Sequence, residues 1–129
     1  MGAFDSLRIA SSSLGMHQTW LDALAHNIAN VNTVTASSQN AFQEQLVIAS
    51  AREDGGVDVA GVDLGSAEGR LTYQPDHPLA DAEGYVRLPD MELSDQMSSL
   101  VMAQRGFQAS VATTKHAQDT YAAALQIGR

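Results

Sequence analysis

Residues 75–84 hold the side chains of this 129-residue chain that could best do chemistry. The segment reads Pro-Asp-His-Pro-Leu-Ala-Asp-Ala-Glu-Gly, so it brings His77 together with three carboxylates. Imidazole and carboxylate groups ligate zinc, and carboxylates also ligate harder cations. The spacing matches neither an EF-hand loop nor a His-Glu-x-x-His helix, and its two prolines and glycine are typical of a stiff loop. We therefore expect His77 to hydrogen-bond to the backbone and not to ligate a metal.

The remaining histidines and serines are poorly placed for catalysis. His17 and His26 are nine residues apart, which is too far along one helix for joint ligation. The serines at 11–13 lack a Gly-x-Ser-x-Gly elbow, and the glycines after residue 54 precede no predicted helix. We expect no catalytic residue, no metal and no cofactor, and hence not an enzyme. An enzyme that uses His77 with Asp81 or Glu83 is the alternative, and it would require tight metal binding.

Composition and charge argue against several classes of partner and site, among them nucleic acids, membranes and disulfides. Seven Lys and Arg stand against fifteen Asp and Glu, for a net charge of −8, so a phosphate-binding basic stripe is not expected. No apolar run is long enough to span a membrane. The chain has no cysteine, which removes disulfides and zinc–thiolate sites. Its start lacks a basic segment followed by an apolar block, so a cleaved secretion signal is not expected.

The N-terminal part predicts a long amphipathic helix. Apolar residues recur every seven positions in one row, and a second row lies beside it. The first row is Leu7, Leu14, Leu21 and Ile28, and the second runs through Ala10, His17, Leu24 and Val31. Asp5 or Ser6 is the predicted cap, and the polar segment 30–38 is the predicted end.

The C-terminal part repeats this pattern from about residue 91 to 126, with Asp90 or Ser94 as the predicted cap after Pro89. One row is Leu93, Leu100, Phe107, Thr114 and Tyr121, and the other is Met97, Gln104, Val111, Gln118 and Leu125. Gly106 is expected to allow a close helix contact. The matched heptads predict that the two helices pair as a coiled coil. Their outer faces carry few charges, so self-association follows as a hypothesis. A monomeric domain and a soluble coiled-coil adaptor are the alternatives.

The middle of the chain predicts a small β-rich unit. Alternating valines and frequent glycines predict strands at 41–51, 57–64, 70–73 and 85–88. Eleven acids and three arginines between residues 52 and 95 give this part a net charge of −8. The predicted fold class is therefore α+β, with segments 1–33, 34–89 and 90–129.

Three stretches resemble a known group of proteins. Residues 27–33, Asn-Ile-Ala-Asn-Val-Asn-Thr, look like the Asn-hydrophobic-Ala-Asn-x-x-Thr motif of bacterial flagellar rod and hook proteins. Residues 75–90 closely resemble the signature of the FlgC family of proximal rod proteins. Residues 97–108, which include Ala-Gln-Arg-Gly-Phe-Gln at 103–108, are similar to that family's last helix. Asp90 and Ser110 stand where the family more often has Asn, and Gly106-Phe107 replaces a small residue followed by Tyr.

This resemblance implies a structural subunit of the proximal rod of the flagellar basal body. The terminal helices would form a coiled pair in the axial core, and the β unit would face outward. The family is exported through the flagellar type III export apparatus without cleavage and assembles in the periplasm. Implied partners are its own copies, the rod proteins FlgB, FlgF and FlgG, and the basal-body protein FliE, with no nucleic acid and no membrane insertion. Another member of the rod family is the alternative.

The predicted site residues form two sets. The helix-packing and assembly residues are Leu7, Leu14, Leu21, Leu24, Ile28, Leu93, Met97, Leu100, Phe107, Val111, Tyr121 and Leu125. The residues singled out by the family motifs are Asn27, Ala29, Asn30, Asn32, Thr33, Pro75, His77, Pro78, Ala80, Asp81, Gly84, Tyr85, Val86 and Pro89.

Overall fold

Two long helices enclose a β-rich segment in the sequence. The computed structural model describes residues 2–128, apart from the side chain of Ala3. The elements are α1 (Ala3–Asn30), β1 (Thr35–Ala36), β2 (Gln45–Ala51), β3 (Val57–Leu64), β4 (Arg70–Tyr73), β5 (Tyr85–Leu88) and α2 (Leu93–Ile127). This order confirms the predicted α+β fold class. Within the described residues, neither helix combines the length and apolar character needed to cross a membrane.

Helix α1 begins earlier than its predicted cap. The Gly2 carbonyl accepts the N–H groups of Asp5 and Ser6 at 3.1 and 3.2 Å. The Gly2 N–H in turn donates to the Asp5 carboxylate at 3.1 Å. Asp5 thus lies in the first turn, where its charge also faces the positive end of the helix dipole, and the predicted cap at Asp5 or Ser6 is wrong.

Helix α2 begins at Leu93. The Glu92 carbonyl accepts the Gln96 N–H at 3.1 Å, so Glu92 occupies the capping position that was predicted for Asp90 or Ser94. Glu92 lies two residues from each predicted cap. Gly128 N–H donates to the Ala124 carbonyl at 3.2 Å and closes the last turn.

The strands form two small sheets. One sheet has the order β1-β5-β4, with Thr35 and Leu71 both opposite Arg87 and with Tyr73 opposite Tyr85. The other sheet pairs β2 with β3. The predicted strands 57–64, 70–73 and 85–88 are confirmed, whereas β1 was not predicted.

The predicted strand 41–51 is four residues too long, because β2 begins at Gln45. The preceding residues bond elsewhere. Ala41 N–H donates to the Ala67 carbonyl at 2.8 Å, and the Glu44 carbonyl accepts the Gly65 N–H at 2.8 Å. These hydrogen bonds pair backbone groups of residues 41 and 44 although neither residue is part of β2.

The chain divides into two compact units, each with its own buried core. Unit 1 comprises residues 1–21, 47–61 and 101–129, and unit 2 comprises residues 22–46 and 62–100. The buried side chains of unit 1 are small: Ala10, Ala103, Ser110 and Ala117. Those of unit 2 are larger and include Leu24, Val31, Val86, Leu88, Pro89 and Met91.

Candidate functional site

Within unit 1, α1 and α2 run antiparallel and meet through small side chains. The Ser13 and Ser110 hydroxyls lie 2.8 Å apart, and Ser110 also donates to the Gly106 carbonyl at 2.9 Å. Ala103 is fully buried and Ala10 is almost so. Side chains of this size allow two helix backbones to approach closely.

Gly106 makes the closest approach in this contact. A Cβ added there would lie 2.6 Å from Cδ2 of His17, which is nearer than carbon atoms can pack. The His17 ring is held in place, since its Nδ1 lies 2.8 Å from the Ser13 carbonyl. The close helix contact predicted at Gly106 is therefore present.

The buried face of α2 is built from an unpredicted heptad row. Its buried members are Gln96, Ala103, Ser110 and Ala117. The row that contains Leu100, Phe107, Thr114 and Tyr121 is half-buried beside it. The second predicted row, Met97, Gln104, Val111, Gln118 and Leu125, is exposed in this chain, and so is Leu93. The intrachain seam therefore does not follow that second row, and the assembly role of its members stays a prediction.

The buried face of α1 agrees more closely with the pattern. Ala10, Leu24 and Val31 of one predicted row are buried. The other row, Leu7, Leu14, Leu21 and Ile28, is half-buried throughout. The rings of Phe4 and Tyr121 also meet in unit 1, with centroids 4.7 Å apart and planes inclined at 60°.

Arg8 ties the turn between β2 and β3 to α1. Its guanidinium donates to the Asp54 carboxylate at 2.8 Å, to the Asp54 carbonyl at 2.7 Å and to the Gly55 carbonyl at 3.3 Å. Gly55 and Gly56 have φ of 83° and 98°, which only glycine adopts without strain. Ser12 adds a second tie, because its hydroxyl accepts the Val57 N–H at 3.1 Å.

The charge environment stabilises the carboxylate of this turn. Desolvation raises the pKa of Asp54, but the hydrogen bond from Arg52 and the charges of Arg52 and Arg8 outweigh it. The pKa of Asp54 therefore lies below its ordinary value. The carboxylate therefore keeps its charge to a lower pH than an ordinary aspartate does.

A buried polar network joins α1, β2 and α2 inside unit 2. Asn27 is fully buried, accepts the Gln45 N–H at 2.8 Å and donates to the Gln45 carbonyl at 3.0 Å. Its amide also donates to Gln96 at 3.0 Å, and Gln96 in turn donates to the Glu44 carboxylate. No buried side-chain nitrogen or oxygen of the described residues lacks a hydrogen-bond partner. Because every buried polar group in it is hydrogen-bonded, the network favours one arrangement of the core and does not destabilise the fold through unpaired groups.

The rest of the first motif closes the end of α1. Asn30 donates from its side chain to the His26 carbonyl at 2.9 Å. Thr33 donates from its hydroxyl to the Asn30 side chain at 3.2 Å and from its N–H to the Asn30 carbonyl at 3.0 Å. Ala29 and Asn32 are exposed. Asn27 thus bonds within the buried core, whereas Asn30 bonds at the end of the helix.

The loop at residues 75–84 connects β4 to β5 through internal hydrogen bonds. His77 accepts the Leu79 N–H on Nδ1 at 3.1 Å, which is the backbone bond expected for it. Asp81 accepts the N–H groups of Glu83 and Tyr85 at 3.1 and 2.8 Å. Among the described residues, no three histidine or carboxylate side chains gather closely enough to hold a metal ion.

Gly84 and the prolines set the path of this loop. Gly84 has φ of 88°, and a Cβ there would lie 2.7 Å from the Tyr73 ring. Val86 and Pro89 are fully buried, whereas Pro75 and Pro78 are exposed. Ala80 N–H donates to the His77 carbonyl at 2.9 Å. The segment is therefore a rigid return from the sheet toward α2.

The comparisons with known proteins cover the whole chain. It is 31% identical over 134 aligned positions to the flagellar basal-body rod protein FlgC of Yersinia enterocolitica, with both chains covered completely. It is 30% identical to FlgC of Salmonella typhimurium and 26% identical to FlgC of Bacillus subtilis, again over the full length of each chain. No family model matches. The chain belongs to the FlgC family.

The pKa of Asp81 lies below its ordinary value, chiefly because the Ser37 side chain hydrogen-bonds to the carboxylate. The backbone N–H groups of Tyr85, Glu83 and Gly84 lower this pKa further, whereas desolvation raises it. A carboxylate held this way fixes backbone geometry.

Several residues that shape this FlgC-family chain were not predicted. Arg87 donates to the Ser37 carbonyl at 2.6 Å and to the Glu68 carbonyl, so it joins β5 to two neighbouring segments. Gln45, Gln96 and Arg8 were missed as well. Polar residues whose partners lie far away in sequence leave no periodic signal, so the sequence could not single them out.

Proposed function

We propose that this chain is a structural subunit of the proximal rod of the bacterial flagellar basal body. The observation that carries the proposal is its full-length similarity to FlgC proteins, at 31% identity to the Yersinia protein. The antiparallel contact of α1 and α2 within unit 1 is in keeping with it. The role is one of assembly and not of catalysis.

In this proposal the three segments have different tasks. Residues 1–33 and 90–129 contribute the helices of a hollow axial core, and residues 34–89 form an outer unit. The exposed apolar side chains of α2 supply contacts to other subunits. Leu93, Met97, Val111 and Leu125 are between 45 and 55% exposed in the single chain. Apolar side chains left this open are typical of surfaces that a partner covers.

The proposed setting is the periplasmic rod, reached through the flagellar type III export apparatus without a cleaved signal. Partners would be other copies of the chain, the rod proteins FlgB, FlgF and FlgG, and the basal-body protein FliE. No cofactor is needed for such a role. The rod would act as a drive shaft, and its strength would lie in subunit contacts.

A substitution at the helix seam tests the proposal. Leu100 is half-buried on α2, so Leu100→Asp places a charge against the seam, and cells carrying it should lose rods, hooks and motility. Ser98→Asp puts the same charge on the exposed side of the helix and is the matched control, with normal rods expected. Normal rods with Leu100→Asp would contradict the role assigned to the helices.

A further inference from the structure

Among the lysines and arginines that the structure describes, the two in α2 have neither an ion pair nor a hydrogen bond. Arg8, Arg52 and Arg70 each form an ion pair, and Arg87 donates to backbone carbonyls. No ion pair or hydrogen bond is made by Arg105 or Lys115 within residues 2–128. Both side chains are exposed. Two open cations on a chain with a net charge of −8 mark a surface that attracts acidic groups.

Arg105 and Lys115 share one stripe of α2 within unit 1. The positions 101, 105, 108, 112 and 115 are spaced by four and three residues in turn, which places them on one face of a helix. Every member of this basic stripe is exposed: Val101, Arg105, Gln108, Ala112 and Lys115. Apart from the two charges, the stripe is apolar or neutral, so it offers both contact area and ion-pair donors.

Unit 2 carries a surface of the opposite character. On the outer face of its sheet, Leu71 is 55%, Tyr73 63% and Tyr85 41% exposed. The tyrosines lie opposite each other on β4 and β5, and their ring centroids are 5.4 Å apart. We call Leu71, Tyr73 and Tyr85 the tyrosine patch. Exposed tyrosines on a rigid sheet are typical of the centre of a protein interface.

Exposed acids border the tyrosine patch. Asp76 and Glu83 lie in the loop that joins the two strands of the patch, and both are exposed. Glu68 is also exposed, and its carbonyl accepts a hydrogen bond from Arg87, which lies opposite Leu71. The loop beside the patch thus carries acidic charge, and the stripe carries basic charge among apolar and neutral side chains. Arg87, the cation opposite Leu71, is engaged with the Ser37 and Glu68 carbonyls.

We infer that the basic stripe of one copy binds the tyrosine patch of a second copy. Arg105 and Lys115 would pair with Asp76 and Glu83, and the guanidinium would also pack on a tyrosine ring. The two surfaces are different parts of the chain, so one copy can bind a different copy through each of them. Such contacts repeat into rings or helical filaments, which a rod requires. This inference rests on the proposed function, since it assigns one of the rod's subunit contacts.

Charge reversal followed by charge exchange tests the contact in cells that lack the native gene. The double variant Arg105→Glu with Lys115→Glu should lose hook-bearing basal bodies, and so should Asp76→Lys with Glu83→Lys. The four changes combined in one chain should restore them, because the ion pairs form again with exchanged signs. Thr120→Glu adds a negative charge at an exposed polar position of α2 outside the stripe and should leave assembly normal.

Failure of this inference differs from failure of the proposed function. If the wild-type gene does not restore rods, the proposed function fails. If it does, but the stripe reversal also builds normal rods, the inference alone is overturned. Loss in each double variant without restoration in the combined variant, with every variant folded by circular dichroism, would also overturn it, because the partner would then be a different protein.

Cysteine crosslinking measures the same contact directly. The chain has no cysteine, so no thiol of its own competes with the introduced ones. One strain would produce two differently tagged copies, one with Arg105→Cys and one with Glu83→Cys. Oxidised basal bodies should yield a heterodimer that carries both tags, and a matched pair with Met102→Cys in place of Arg105→Cys should not. No heterodimer from the first pair, in basal bodies that contain both copies, would contradict the contact.

Discussion

The Asn27 side chain forms two hydrogen bonds with the backbone of Gln45. Its Oδ1 accepts the Gln45 N–H at 2.8 Å, and its Nδ2 donates to the Gln45 carbonyl at 3.0 Å. The amide takes the place of a neighbouring strand at the first residue of β2. Because Asn27 is fully buried and also bonds Gln96, it fixes where the strand begins relative to both helices of unit 2.

Replacing Asn27 should therefore destabilise the chain strongly. Asn27→Leu keeps a similar volume but removes the side-chain partner of the part-buried Gln45 N–H and carbonyl. We expect the free energy of unfolding to fall by about 2–4 kcal/mol, measured by urea denaturation. Asn32→Leu, an exposed position of the same motif, should change it by less than about 0.5 kcal/mol. Equal effects at the two positions would show that the network contributes little.

Gly106 and Gly15 give opposite predictions for the same substitution. Both lie inside helices, where Gly→Ala gains about 1 kcal/mol of helix propensity. A Cβ at Gly15 meets nothing within 4 Å, so Gly15→Ala should raise the melting temperature. A Cβ at Gly106 strikes the His17 ring, so Gly106→Ala should lower it.

A second change separates the clash from other causes. His17→Ser removes the ring that meets the new Cβ, so Gly106→Ala should cost less in that background than in the wild-type chain. Calorimetric melting of the four variants of this cycle measures the coupling. Additive effects of the two changes would rule out the contact as the cause.

Arg8 should control the mobility of the β2–β3 turn more than the overall stability. Its ion pair with Asp54 is exposed to solvent, so Arg8→Met should change the free energy of unfolding little. Loss of the bonds to the Asp54 and Gly55 carbonyls should nevertheless speed hydrogen exchange in residues 52–57. Arg70→Met breaks an ion pair in unit 2 and is the control, with unchanged exchange in that turn. Unchanged exchange with Arg8→Met would show that other contacts hold the turn.

Asp81 should make the β4–β5 loop sensitive to acid. Its pKa in the folded chain lies below the ordinary 3.8, chiefly because the Ser37 side chain donates to the carboxylate. The unfolded chain then binds the proton more readily, so this stabilisation is present above about pH 3.8 and is lost as the pH falls through the folded pKa. A carboxyl NMR titration should show the lowered pKa, and Ser37→Ala should raise it. An unchanged Asp81 pKa in Ser37→Ala would contradict this cause.

The strands were predictable because local residue types determine them. Val57–Leu64 alternates between apolar and polar or small residues and lies between glycines, so its ends could be read from the sequence. β1 was missed because its two residues lie in a Thr- and Ser-rich segment that looks like a helix end. It forms a strand only because β5 lies beside it, a contact between residues far apart in sequence.

The seam of α2 was less predictable than its helix. The spacing of Leu, Met and Val predicted a helix and its length, but the buried row consists of Gln96, Ala103, Ser110 and Ala117. Alanine and serine carry little hydrophobic signal, yet their small size lets the backbones approach. Met97 and Val111 follow Gln96 and Ser110 by one position, and both are exposed. The hydrophobic pattern therefore predicted the seam on a neighbouring face of the helix.

The most direct test of the central claim is electron cryotomography of basal bodies in cells that lack this gene. The rod assignment predicts a formed membrane ring without a rod or hook, and return of the rod when the wild-type gene is restored. An intact rod and hook in the deletion strain, with no second copy of the gene present, would contradict it.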